Sequence, residues 1–78
     1  MREKKIVLIV SFHSTTQAMQ MEKVCREQQL PGRMIPLPGV ISAGCGLAWC
    51  CEPSARSSME EAIAEYNMAY DAITEIVF

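Results

Sequence analysis

The run Ile6-Val7-Leu8-Ile9-Val10-Ser11-Phe12 constrains this chain more than any other feature of it. A nearly unbroken β-branched and aliphatic stretch puts apolar side chains on both faces of a strand, the pattern of a strand in the middle of a sheet. The first strand is therefore expected to be central. A chain of 78 residues has room for a single domain over residues 1–78, and a domain near that length buries only about 60% of the surface its unfolded chain exposes. A deep enclosed substrate pocket is not expected. Half of the residues are hydrophobic and 21% are charged, enough apolar surface for the chain to fold.

Ser14 and Gln17 form a capping box, and Ala18, Met21, Val24 and Cys25 then share one helical face until Leu30-Pro31-Gly32 stops the helix. The first helix is predicted over about Thr15 to Gln29. Arg33 to Leu37 reads as extended, but Pro36 within it and Pro38 after it cannot donate to a ladder, which makes it an edge strand. Pro38 to Gly46 reads as loop and Leu47 to Cys51 as a third strand closed by Glu52-Pro53-Ser54. A second capping box, Ser58 with Glu61, is expected to open a helix whose Met59, Ala62, Ile63, Tyr66 and Ala69 share a face. Ile73 to Phe78 is the last strand. The order β-α-β-β-α-β predicts an α/β (α+β) domain of the ferredoxin-like kind, a four-stranded antiparallel sheet with both helices on one face. No repeat, linker or low-complexity segment interrupts it.

Seven Lys and Arg are scattered among nine Asp and Glu for a net charge of −2. They make no basic stripe, which argues against a nucleic-acid partner. Met1-Arg2-Glu3-Lys4-Lys5 before Ile6 to Val10 has the beginnings of a signal peptide, but Ser11, Phe12 and His13 follow with no small-residue cleavage site. Ser42-Ala43-Gly44-Cys45 likewise has the shape of a lipoprotein box without a preceding apolar region. No stretch approaches the roughly 18 apolar residues of a membrane span. The expectation is a cytoplasmic protein with no membrane association, in which Cys25, Cys45, Cys50 and Cys51 are thiols or metal ligands rather than disulfides.

Among those cysteines the one in Ser42-Ala43-Gly44-Cys45-Gly46 stands out. In the expected topology the third strand runs antiparallel beside the first, which brings Cys45 near His13, Ser14 and the first turn of the first helix. Free backbone N–H groups and the positive end of a helix dipole favour a thiolate. A protonated His13 beside it would add to that effect. Gly44 and Gly46 are expected to leave the sulfur uncrowded, within reach of another protein's sulfur or a small electrophile. Blander roles compete: the glycines could serve a turn with Cys45 filling space, and His13 could simply end the strand or cap the helix. Cys25 lies on the apolar helix face and reads as core, as do the methionines Met19, Met21, Met34, Met59 and Met68. Trp49 shares a strand face with Leu47 and reads as core or interface. Cys50 and Cys51 are adjacent in a strand and point to opposite faces, so at least one packs and the other is available as a second thiol.

Phe12-His13-Ser14-Thr15-Thr16 with Ala18 and Met21-Glu22, then Pro31-Gly32-Arg33, Ile35-Pro36-Leu37-Pro38 and Ile41-Ser42-Ala43-Gly44-Cys45-Gly46-Leu47-Ala48, together resemble the family of small bacterial proteins described as putative Se/S carrier protein-like. The resemblance covers roughly residues 5 to 76. It implies a carrier that holds sulfur or selenium on Cys45, within the Gly44 and Gly46 frame, takes it from a cysteine desulfurase-like donor and passes it to an acceptor. Cys50-Cys51 departs from the family pattern, and the Cys-Pro setting of better-known sulfur relays is absent. Such a carrier needs no metal or organic cofactor and is not an enzyme with a turnover of its own. Two other classes fit the same residues. One is a zinc or iron–sulfur site drawing on Cys45, Cys50 or Cys51 with Cys25 or His13, although Cys45-x4-Cys50-Cys51 lacks a Cys-x2-Cys knuckle. The other is an interaction domain that forms a homodimer through an exposed sheet face and leaves Cys45 inert.

Overall fold

The computed structural model describes residues 4–78, so Met1 to Glu3 of the basic opening lie outside the described residues. The chain runs through β1 (Ile6–Ser11), α1 (Thr15–Glu27), β2 (Arg33–Pro36), β3 (Leu47–Cys51), a 3₁₀ turn (Pro53–Ala55), α2 (Arg56–Glu65) and β4 (Ala72–Val77). The strands form one four-stranded sheet in the order β2-β3-β1-β4, and every neighbouring pair is antiparallel. This is an α+β fold whose strand order is compatible with the ferredoxin-like arrangement, and β1 is central as its apolar run requires.

Alternation along β1 divides the interior in two. Leu8 and Val10, with Phe12 just beyond the strand, join Ala18, Met21, Val24 and Cys25 of α1, Trp49 and Cys51 of β3, and Met59 and Ala62 of α2 in one cluster. Both helices therefore pack on the same face. Ile9 on the other face joins Ile35, Ala48 and Cys50, and Leu37 and Ile41 of the β2–β3 connection pack against this second cluster. The connection thus covers part of the sheet face that no helix reaches.

Ser14 caps α1 as its sequence predicts: its side chain accepts from the Gln17 N–H at 3.4 Å. The return bond is displaced by one residue, from the His13 N–H to Gln17 Oε1 at 2.9 Å. The helix ends at Glu27, shorter than expected, because Gln29 takes a positive φ of 55° that ends the helical path. Gly32 then adopts a φ of 118° and lies so close to Cys50, Cys51 and the Trp49 indole that no side chain fits there. The Trp49 Nε1–H closes this contact by donating to the Pro31 carbonyl at 3.2 Å.

The second helix differs from the expectation at both ends. It begins at Arg56 rather than at Ser58, and its N-cap, Ala55, makes no side-chain hydrogen bond. The helical path is entered earlier, at Pro53, whose fixed φ and missing N–H suit a first turn. Ser58 is left inside the helix, where its hydroxyl has no capping task. The helix stops at Glu65, so Tyr66 and Ala69 fall outside it and are exposed rather than part of its apolar face. Met68, held by the Met68 N–H to Ile63 carbonyl bond at 3.0 Å, takes their place in the core. Of the methionines read as core, Met19 is the departure: it lies on the outer side of α1, 51% exposed.

Candidate functional site

The loop between β2 and β3 is closed by the Leu37 N–H donating to the Gly46 carbonyl at 2.9 Å, and tightened by a turn in which the Ile41 N–H donates to Pro38 at 3.0 Å. Cys45 therefore sits two residues before the start of β3. Because β3 is antiparallel to β1 with Ser11 opposite Ala48, this end of the loop meets the β1–α1 junction. Gly44 marks the contact: a side-chain carbon at position 44 would run into the His13 carbonyl oxygen, whereas at Gly46 nothing stands within 4 Å. The two glycines thus do different work. Gly44 permits the approach, and Gly46 faces open space.

That approach carries the Cys45 sulfur inward, and the residue is only 5% exposed, packed into the helix-side core. The open loop thiol expected from flanking glycines is not what the fold makes, since Gly44 lets the loop press against β1 instead of standing away from it. The sulfur accepts the Leu47 N–H at 3.4 Å. Thr15, the first residue of α1, places Oγ1 3.7 Å from the same sulfur, with either group able to donate. Negative charge on this sulfur would meet a backbone N–H, a hydroxyl and the positive end of α1.

The fold brings the His13 backbone to the Cys45 loop, but its imidazole is directed elsewhere. Nε2 lies 3.5 Å from Asp71 Oδ1, with the imidazole well exposed. The other Asp71 oxygen accepts from Ser11 Oγ at 3.3 Å, and the Asp71 N–H donates to the Ser11 carbonyl at 2.7 Å. Sequence reasoning missed both Thr15 and Asp71. Thr15 is legible in hindsight as the residue after the N-cap, on the turn that the loop must meet. Asp71 carries no local signal, because only the pairing of β4 with β1 brings it to the end of β1.

All four cysteines are free thiols. Burial, helped by the neighbouring Cys51, pushes the Cys25 thiol from 9.0 up to about 11. Burial first, then the charges of Cys50 and Glu52, likewise pushes Cys51 up to about 11. Burial also raises Cys50, opposed by the Arg33 guanidinium. Cys50 and Cys51 do point to opposite faces, Cys51 into the helix-side cluster and Cys50 into the other. Neither is brought to Cys45: the extended path from Gly46 to Cys50 spans about 13 Å at about 3.3 Å per residue, while a disulfide needs Cα atoms within roughly 7 Å. A groove of about 450 Å³ lined by Pro31, Gly32, Arg33, Cys50 and Glu52 lies at the far end of β3 from Cys45. Among the described residues, no group of three or more His, Cys, Asp and Glu side chains is placed to hold a metal ion, and no helix is long and apolar enough to cross a membrane.

A family model described as Putative Se/S carrier protein-like matches residues 7–75, nearly the whole chain. The chain belongs to this family. The match runs from within β1 to within β4 and takes in Cys45, Thr15 and the Gly44 contact, so the geometry above is that of a Se/S carrier-like domain. No curated protein and no solved structure matches it.

Proposed function

We propose that this Se/S carrier-like protein holds a sulfur or selenium atom on Cys45 and hands it to an acceptor. The observation that carries this reading is the setting of one sulfur: Cys45 Sγ accepts the Leu47 N–H and lies beside the Thr15 hydroxyl at the start of α1. The thiolate is the nucleophile in sulfur exchange. It attacks the terminal sulfur of a donor persulfide, the donor's S–S bond breaks, and its electron pair leaves with the donor thiolate. Cys45 is left as a persulfide, and an acceptor thiolate removes the outer atom by the same exchange in reverse. No oxidant, metal or organic cofactor enters, and selenium follows the same course as a selenosulfide.

Burial of Cys45 suits storage, since a covered adduct is shielded from water and stray thiols. Transfer then requires the loop between Leu37 and Gly46 to lift, which makes docking of the donor or acceptor the trigger for exchange. The donor is a protein persulfide of the cysteine desulfurase kind, and the exchange takes place in the cytoplasm, where thiols stay reduced. His13 supports the loop through its backbone. Cys50 and Cys51 lie too far along β3 to resolve the adduct, so release needs an external acceptor.

Intact mass after exposure to a persulfide donor tests this directly. One added sulfur, about 32 Da, is expected on wild type, removed by reductant and absent from Cys45→Ser. Undiminished uptake by Cys45→Ser would overturn the assignment.

A further inference from the structure

The sheet face that no helix covers carries a groove at the end of β3 remote from Cys45. Arg33 stands opposite Cys50 in the β2–β3 ladder, and strand alternation puts Arg33, Cys50 and Glu52 on one face with Val7 of β1. These four residues line the groove of about 450 Å³, with Pro31 and Gly32 at its rim, a size within the roughly 300–1,000 Å³ of small-molecule sites. The rim is held in place. Gly32 is pressed against Cys50, Cys51 and the Trp49 indole, and the Trp49 Nε1–H fixes the Pro31 carbonyl at 3.2 Å. Val7 and Cys50 belong to the apolar packing of this face.

Two opposite charges border this space without meeting. Arg33 is exposed, and among the described residues its guanidinium enters no ion pair. Glu52 is exposed as well, and although it stands at the N-cap of the 3₁₀ turn its carboxylate makes no capping bond. Elsewhere on the surface the same residue types do close up, Arg56 reaching Glu60 and Glu75 at 3.3 Å each. Glu52, two residues beyond Cys50, is the diagonal neighbour of Arg33, and such positions stand about 7–8 Å apart. The groove thus offers one cation, one anion and an apolar surface, with neither charge satisfied by the other.

We propose that this groove binds a free α-amino acid with an apolar side chain, its carboxylate on Arg33, its ammonium on Glu52 and its side chain on Val7 and Cys50. Charge complementarity selects this class of ligand. A simple anion resting on Arg33 would face the Glu52 carboxylate, and a simple cation resting on Glu52 would face the guanidinium. A ligand carrying both charges satisfies the two residues together. The site goes beyond the carrier reading and stands independently of it, since Cys45 takes no part.

The probe is L-methionine, whose thioether does not exchange with thiols, titrated into the reduced full chain and read by calorimetry and by backbone amide shifts. Binding with Kd at or below about 1 mM is expected, with shifts at Val7, Gly32 and Cys50. Methylthiopropylamine, which lacks the carboxylate, and methylthiobutanoate, which lacks the ammonium, should each bind about ten-fold more weakly or worse. Arg33→Gln should bind L-methionine and the amine alike, and Glu52→Gln should bind L-methionine and the acid alike, both without loss of sulfur uptake at Cys45. The ligand series on wild type does not depend on either variant folding. No binding of L-methionine up to about 10 mM, equal binding of the amine or of the acid by wild type, or folded variants that bind as wild type does, would each overturn the proposal.

Discussion

Gly44 lies against the His13 carbonyl oxygen so closely that position 44 has no room for a side-chain carbon. This single approach joins the Cys45 loop to the β1–α1 junction, and it is backbone against backbone, which cannot yield as a flexible side chain would. Gly44→Ala should therefore cost about 1–3 kcal/mol, read by chemical denaturation, and should slow sulfur uptake by displacing Cys45. Gly46→Ala, with nothing within 4 Å of the added carbon, should stay within about 0.5 kcal/mol of wild type. Equal effects at the two positions would contradict the asymmetry described above.

The Thr15 hydroxyl is the polar side-chain group at the Cys45 sulfur. Thr15→Val keeps the shape and removes the hydrogen bond, and a hydrogen bond to a charged group is worth about 1.5–3 kcal/mol. Sulfur uptake from a persulfide donor should fall about ten-fold or more, with the helical circular dichroism unchanged. His13→Ala should reduce uptake less, because the imidazole is paired with Asp71. The opposite ranking would assign the thiolate support to His13.

Alkylation separates the thiols. With limiting iodoacetamide at neutral pH, peptide mapping should find Cys45, which the reagent reaches when the loop between Leu37 and Gly46 lifts, modified before Cys25 and Cys51, whose thiols burial holds near 11 and which therefore supply little thiolate. Modification of Cys50 or Cys51 ahead of Cys45 would remove the basis for choosing Cys45.

The same raised thiols make stability depend on alkaline pH. Cys25 and Cys51 keep their protons in the folded state up to about 11, against 9.0 when unperturbed. Between those values the folded protein binds more protons than the unfolded chain, so stability falls as pH rises. This contribution is fully present below pH 9 and is lost as pH rises to about 11. Urea midpoints measured across that window should decline for wild type and decline less steeply for Cys25→Ala.

The sequence alone determined what neighbouring residues decide. The apolar run of β1 dictates a central strand because both of its faces must be covered. Ser14 with Gln17 dictates where α1 starts, the prolines around β2 dictate an edge, and strand alternation dictates that Cys50 and Cys51 part to opposite faces. Local patterns misled where one local signal overrode another: Ser58 and Glu61 spell a cap, but Pro53 had already started the helical path. Only the tertiary structure decided the state of the candidate site. Burial of Cys45, its contact with Thr15, and the pairing of His13 with Asp71 follow from β1 lying between β3 and β4. That register brings together residues 30 and more positions apart, and no spacing within the chain encodes it, because a sheet is assembled from pairings that the whole core selects at once.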